Sequence, residues 1–186
     1  MEAIALSRPG ARAASAFAGA ARPRQAFPMT SPPAPETRPL LHFEDLAVGS
    51  RCETGAHLLT AEEIVAYARE WDPQPFHLDP AAARDSLFGE FVASGWHVAS
   101  LMMRLLVTQG WRLAGGQIGL QVDELVFRAT RPGDSLRVVG EVLELRASRS
   151  KPDRGLARVR LTVINQRDDP ALSCVVTQII LRKGGA

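Results

Sequence analysis

The sequence predicts an α+β domain in which a curved antiparallel sheet wraps around one central, apolar helix. Three observations carry this expectation. Helical signals fall before residue 110, strand-like runs rich in Val, Leu and Ile begin near Gln117, and the segment Ala93–Val107 is apolar on nearly every side. A helix of that last kind belongs inside a fold rather than on its surface. Helices first and strands after, with short turns between the strands, mark a segregated α+β architecture and an antiparallel meander.

Residues 1–40 are rich in Ala, Arg, Pro and Ser and show no sustained apolar period. Such a stretch buries too little surface to offset its ordering entropy, so it is expected to be a disordered N-terminal extension. Its arginines and scarcity of acids are also what an organelle transit peptide looks like. An over-extended start, with Met29 as initiator, or a dispensable tail are the simpler explanations. The domain is expected to occupy residues 41–186.

Within it, Thr60-Ala-Glu-Glu63 reads as a capping box that opens a short helix with Ile64, Val65 and Ala68 on its apolar stripe, ending near Trp71. Pro73 and Pro75 prevent its continuation, so residues 72–78 are expected to form an extended, rigid loop. Asp79-Pro80 restarts a helix, with Asp79 as N-cap, and Phe88-Gly89 ends it. After the apolar helix, runs near 118–129, 135–147, 156–166 and 172–182 read as strands. The turn signals Arg131-Pro-Gly-Asp134, Lys151-Pro-Asp-Arg-Gly155 and Arg167-Asp-Asp-Pro170 separate them.

The net charge of +2 and pI near 8.8 mislead about partners. Residues 1–40 hold five arginines against two glutamates, which leaves 17 basic and 18 acidic residues from 41 onward. A domain near −1 gives no general attraction for nucleic acid. No apolar run approaches the roughly 20 residues that span a bilayer, so no membrane partner is expected. Cys52 and Cys174 are isolated thiols without metal-ligand spacing, which points to a reducing, cytoplasmic setting and to no metal.

Chemistry concentrates in Trp71-Asp-Pro-Gln-Pro-Phe-His-Leu-Asp-Pro80. A carboxylate, Asp72, and an imidazole, His77, lie five residues apart on a segment stiffened by two prolines. Fixing φ at Pro73 and Pro75 restricts both side chains, as a pre-organised acid/base pair requires. Adding water to an α,β-unsaturated thioester needs a base for the water and a proton for the α-carbon, and a carboxylate and histidine sharing one water supply both. The bland alternative is that Asp72 caps the preceding turn and His77 is a satisfied loop histidine.

From Phe43 to about Lys183 the chain resembles the MaoC-like dehydratases, the family of (R)-specific enoyl-CoA hydratases. The resemblance rests on Phe43-Glu-Asp-Leu-x-Val-Gly49, on Asp72-Pro-Gln-Pro-Phe-His-x-Asp-Pro80, on Phe88-Gly89 leading to Ala93-Ser-Gly-Trp-His97, and on Arg131-Pro-Gly-Asp134. It implies a hot-dog fold, a homodimer with sheets paired edge to edge, and reversible hydration of a 2-enoyl thioester to a (3R)-hydroxy product. It implies that Asp72 and His77 activate the water and that the Gly95 amide, at a helix N-terminus, polarises the thioester carbonyl, a role suited to an unbonded N–H there. No cofactor is implied beyond coenzyme A as part of the substrate. Many members carry Asn where this chain has Gln74, and His-Gly where it has Ser94-Gly95, which suggests a subgroup with its own substrate.

Trp71 and Trp96 flank this chemistry and either shape an acyl pocket or pack the core. Ser94 either donates to a bound carbonyl or begins the helix. His97 is close enough to Gly95 to line the site, although a structural histidine on the helix face accounts for it equally simply. His42 and His57 have no evident partner. Arg146, Arg149, Lys151, Arg154, Arg158 and Arg160 form a basic hairpin that reads as a solvated strand face or, less simply, as a site for coenzyme A phosphates. Two other functions compete. A hot-dog thioesterase would place a carboxylate on or beside the central helix, yet residues 91–113 contain no Asp or Glu. A non-catalytic subunit that binds acyl thioesters would not need both Asp72 and His77.

Overall fold

The fold is that of a computed structural model, which describes residues 37–184. Residues 1–36, and with them most of the expected extension, lie outside the described residues, as do 185 and 186. Helix α1 (Ala61–Trp71) starts as the capping box predicts: the Thr60 hydroxyl accepts from the Glu63 N–H at 3.2 Å, and the Glu63 carboxylate accepts from the Thr60 N–H at 3.1 Å. It buries Ile64 and Ala68.

The following segment is not fully extended. Pro75–Leu78 closes one helical turn, α2, with Pro75 at its start. Proline has the helical φ built in and its missing N–H is not needed in a first turn, so the residue that stops one helix begins the next. Gln74, which precedes that proline, is held extended at φ −79° and ψ 140°. Helix α3 (Pro80–Arg84) is capped by Asp79, whose Oδ1 accepts from the Ala81 N–H at 2.8 Å. It ends earlier than Phe88-Gly89. The Ser86 hydroxyl donates to the Ala83 carbonyl at 2.6 Å and accepts from the Phe88 N–H at 3.2 Å, local bonds that compete with continuation of the helix.

The apolar segment forms α4 (Gly95–Gln109). One side buries Val98, Leu101, Met102, Leu105 and Leu106 against the sheet, while Trp96, Met103 and Val107 are exposed in the single chain. The predicted strands are β5 (Ile118–Phe127), β6 (Ser135–Ala147), β7 (Arg154–Ile164) and β8 (Pro170–Leu181). Four short strands add to these: β1 (Leu40–Leu41), β2 (Arg51–Glu53), β3 (His57–Leu58) and β4 (Arg112–Leu113). The main sheet runs β2-β6-β7-β8-β5 with every pairing antiparallel, and β3 also pairs with β6. Strands of two or three residues carry too little alternation to be read from sequence.

Leu136, Val138, Val142, Ala157, Val159, Leu161, Val163, Leu172 and Ile180 meet α4 in one core. The concave sheet thus holds the helix along its length. The opposite face of β6 and β7 carries charge, and three of the six cations of the basic hairpin lie in ion pairs: Arg160 is 3.8 Å from Glu141, Arg158 3.9 Å from Asp123, and Arg154 pairs with Asp153. At the other end, β1 lies parallel to β4, so Leu40 is an ordered part of the domain. Arg38 donates to the Val107 carbonyl at 3.1 Å and to the Gly110 carbonyl, clamping the end of α4.

Candidate active site

Two local devices bring the site together. The Asp72 backbone N–H donates to the Ala68 carbonyl and closes α1, which leaves its carboxylate projecting beyond the helix end. The turn of α2 then returns His77 beside it, with Asp72 Oδ2 3.5 Å from His77 Nε2. The capping role and the pairing with His77 are therefore both filled by Asp72, one by its backbone and one by its side chain.

His77 is 4% exposed. Its Nδ1 lies 2.8 Å from the Val92 carbonyl oxygen. A carbonyl can only accept, so Nδ1 carries a proton and donates to it, which turns the Nε2 edge of the ring towards Asp72. Phe76 meets the imidazole edge-on, at 4.5 Å between centroids. These contacts leave the ring one orientation.

Gln74 Nε2 donates to Asp72 Oδ1 at 2.8 Å. Burial pushes the Asp72 carboxyl upward, but hydrogen bonds from Ser94 and Gln74 and the nearby imidazole outweigh it, and its pKa lies below the ordinary aspartate value. Asp72 is therefore ionised at neutral pH. A carboxylate oxygen and an imidazole nitrogen 3.5 Å apart are placed to share one water between them.

Ser94 is almost wholly buried and its hydroxyl accepts from the Trp96 N–H at 3.2 Å, so it caps α4. Gly95 follows as the first helical residue, and its N–H has no hydrogen-bond partner among the described residues. The Ser94 hydrogen bond to the Asp72 carboxylate ties the Asp72/His77 pair to the start of α4, where Gly95 is the next residue. The partial positive charge of that helix end favours an anionic oxygen.

The remaining predicted residues lie around it. Trp71 is exposed at the end of α1. Trp96 is exposed and packs edge-on against Phe127, centroids 5.2 Å apart. His97 stacks on Tyr67 at 4.6 Å and 7°, bridging α4 to α1, and its buried Nδ1 has no hydrogen-bond partner among the described residues. Burial, together with His57 and against the pull of Glu63, drives its pKa down to about 4. His57 does have a partner: its Nε2 lies 3.1 Å from both Glu63 oxygens. Glu90, the acid that precedes α4 most closely in sequence, is held by Arg131 Nε at 2.7 Å.

Sequence reasoning passed over Gln74 as a partner of Asp72, the Val92 carbonyl and Phe127. Gln74 was open to detection, being two residues from Asp72. The other two reach the site only through tertiary structure. Among the described residues no three His, Cys, Asp or Glu side chains are grouped to hold a metal ion, and no helix is long and apolar enough to cross a membrane.

Compared with protein-family models, residues 45–165 match the MaoC like domain. A 3-hydroxybutyryl-CoA dehydratase of Methylorubrum extorquens is 35% identical over 130 residues, covering 69% of this chain and 76% of that protein. Among solved structures, a MaoC-like dehydratase of Rhodospirillum rubrum is 46% identical with a TM-score of 0.75, over 77% of this chain and 98% of that one. An unliganded R-hydratase of Pseudomonas aeruginosa is 27% identical with a TM-score of 0.57, over 76% and 85% of the two chains. A Mycobacterium tuberculosis protein with a double hotdog fold superposes with a TM-score of 0.66 at 20% identity, over 79% of this chain and 46% of that one. At that identity the likeness speaks for the fold alone, which is hot-dog here too.

Proposed function

This chain belongs to the MaoC-like dehydratase family, and on that premise we propose that it adds water reversibly to a 2-enoyl thioester, a CoA ester, to give a (3R)-hydroxyacyl thioester. The single observation that carries this reading is the approach of Asp72 Oδ2 to His77 Nε2 at 3.5 Å beside the mouth of α4.

A water held between the two side chains keeps a lone pair free. The thioester carbonyl oxygen sits at the Gly95 N–H, which draws electron density from the double bond and makes C3 electrophilic. As the water oxygen bonds to C3, one of its protons passes to the Asp72/His77 pair, and the negative charge that gathers on the thioester oxygen is stabilised by the amide and the helix end. The proton is then delivered to C2, so the pair returns to its starting state and the net change is addition of H and OH across the double bond. Both additions come from the face the pair occupies, which makes the hydration syn. Dehydration runs the same steps backward.

The test is a panel of trans-2-enoyl-CoA esters, followed by loss of absorbance of the conjugated double bond, beside a thiol reagent that detects free CoA. Loss of the conjugated chromophore without thiol release supports the reading. Thiol release would make the protein a thioesterase, and binding of CoA esters without turnover would make it a non-catalytic subunit.

A further inference from the structure

We infer that Phe127 is a positioning residue, whose ring fixes the first turn of α4 and with it the Gly95 amide. The inference rests on the function proposed above, since it assigns the residue that holds that function's oxyanion donor.

A Cβ built on Gly95 would lie 2.6 Å from both Cγ and Cδ1 of Phe127 and 3.1 Å from its Cβ. Gly95 has no left-handed φ, so its backbone conformation is open to any L residue. The ring alone excludes a side chain at 95, and it does so by occupying the place where that side chain would be. Phe127 is 39% exposed and its neighbour Trp96 58%, so neither ring is there to fill the core. The two rings meet edge-on at 5.2 Å and 65°, gripping residues 95 and 96 from one side.

The strand is bent to make this contact. Asp123 and Phe127 are four residues apart and on a regular strand would share a face. Asp123 points to the charged outer face, 3.9 Å from Arg158. Between Asp123 and Val126 the register with β8 shifts by one residue, and Glu124 takes a left-handed φ of 52°. This bulge turns the rest of β5 over, so that Phe127 lies opposite the fully buried Leu172 and faces α4. A strained non-glycine residue is thus maintained in a strand whose altered register delivers one ring to the helix mouth.

The test compares Phe127→Ala, Phe127→Tyr, Gly95→Ala and the double variant Gly95→Ala/Phe127→Ala on one 2-enoyl-CoA, with melting temperatures for each. Phe127→Ala should lower kcat about ten-fold with KM within three-fold of wild type, and Phe127→Tyr, which keeps the ring, should restore most of that loss. Gly95→Ala should lower kcat more, and its added cost should shrink in the Phe127→Ala background, where the ring atoms at 2.6 Å are gone and only the Cβ at 3.1 Å remains. Losses that multiply, or a wild-type kcat in Phe127→Ala, would overturn the inference while leaving the hydratase reading intact. If Phe127→Ala does not fold, Phe127→Leu should still lower kcat at least three-fold at unchanged KM, and a wild-type kcat there would overturn it equally. A wild-type protein that hydrates no 2-enoyl-CoA removes the reading and this inference together.

Discussion

The two histidines near the mouth of α4 are both buried, yet their surroundings commit them differently. His77 has a carbonyl at one nitrogen and a carboxylate at the other, so both its edges are polar. His97 has a tyrosine ring against its face and a nitrogen with no hydrogen-bond partner among the described residues, and its pKa falls to about 4 chiefly through burial. Below pH 6.5 the unfolded chain takes up a proton at residue 97 that the folded chain refuses until about pH 4. Stability must therefore fall as pH drops through that window, by on the order of 3 kcal/mol for such a shift. His97→Phe keeps a ring for Tyr67 and removes the titration. Denaturant unfolding at pH 7 and pH 4 should show a smaller acid loss in that variant, and equal losses would mean that His97 is not buried in its neutral form. Asp72 and His77 were legible in the sequence because their pairing is local, set by two prolines within five residues. The Val92 carbonyl was not, because a backbone oxygen fifteen residues away carries no sequence signature.

At the level of elements, α4 is fixed at both ends. Ser94 caps its start, while Arg38 donates to the Val107 and Gly110 carbonyls at its end, where a cation also complements the helix dipole. Arg38→Ala should cost about 1 kcal/mol of stability, since carbonyls at the helix end lose a charged donor. A thermal or urea transition indistinguishable from wild type would show that solvent replaces the arginine without loss. The four long strands, α1 and α4 were all readable, because each carries either a cap or ten or more residues of consistent apolar pattern. The turn α2 was not, since two nearby prolines read as a helix stop, whereas the second one starts a new turn. The β5 bulge was equally hidden, because a one-residue register shift leaves composition and apolarity unchanged.

Taken as a whole molecule, the chain exposes an apolar face that a single copy does not cover. Strand β5 forms the free edge of the sheet, with Ile118, Leu120, Val122 and Val126 exposed, and Trp96, Met103 and Val107 of α4 are exposed as well. Unpaired strand edges of this length invite pairing, and a two-fold partner that continues the sheet across β5 would cover them. Sedimentation should give twice the chain mass, and Val122→Asp should shift the protein to monomer; a wild-type monomer at micromolar concentration would refute the pairing. The charged face of β6 and β7 is the opposite case. Its arginines alternate along the sequence, and Arg158 and Arg160 are exposed there beside Asp123 and Glu141. The central claim is that Asp72 and His77 act as one unit on one water. Initial rates of 2-enoyl-CoA hydration for wild type, Asp72→Asn, His77→Ala and the double variant test it most directly. Each single change should lower kcat by about 10²–10⁴, and the double variant should be no slower than the slower single one, because a unit can be broken only once. Losses that multiply, or either single variant turning over at the wild-type rate, would contradict the claim.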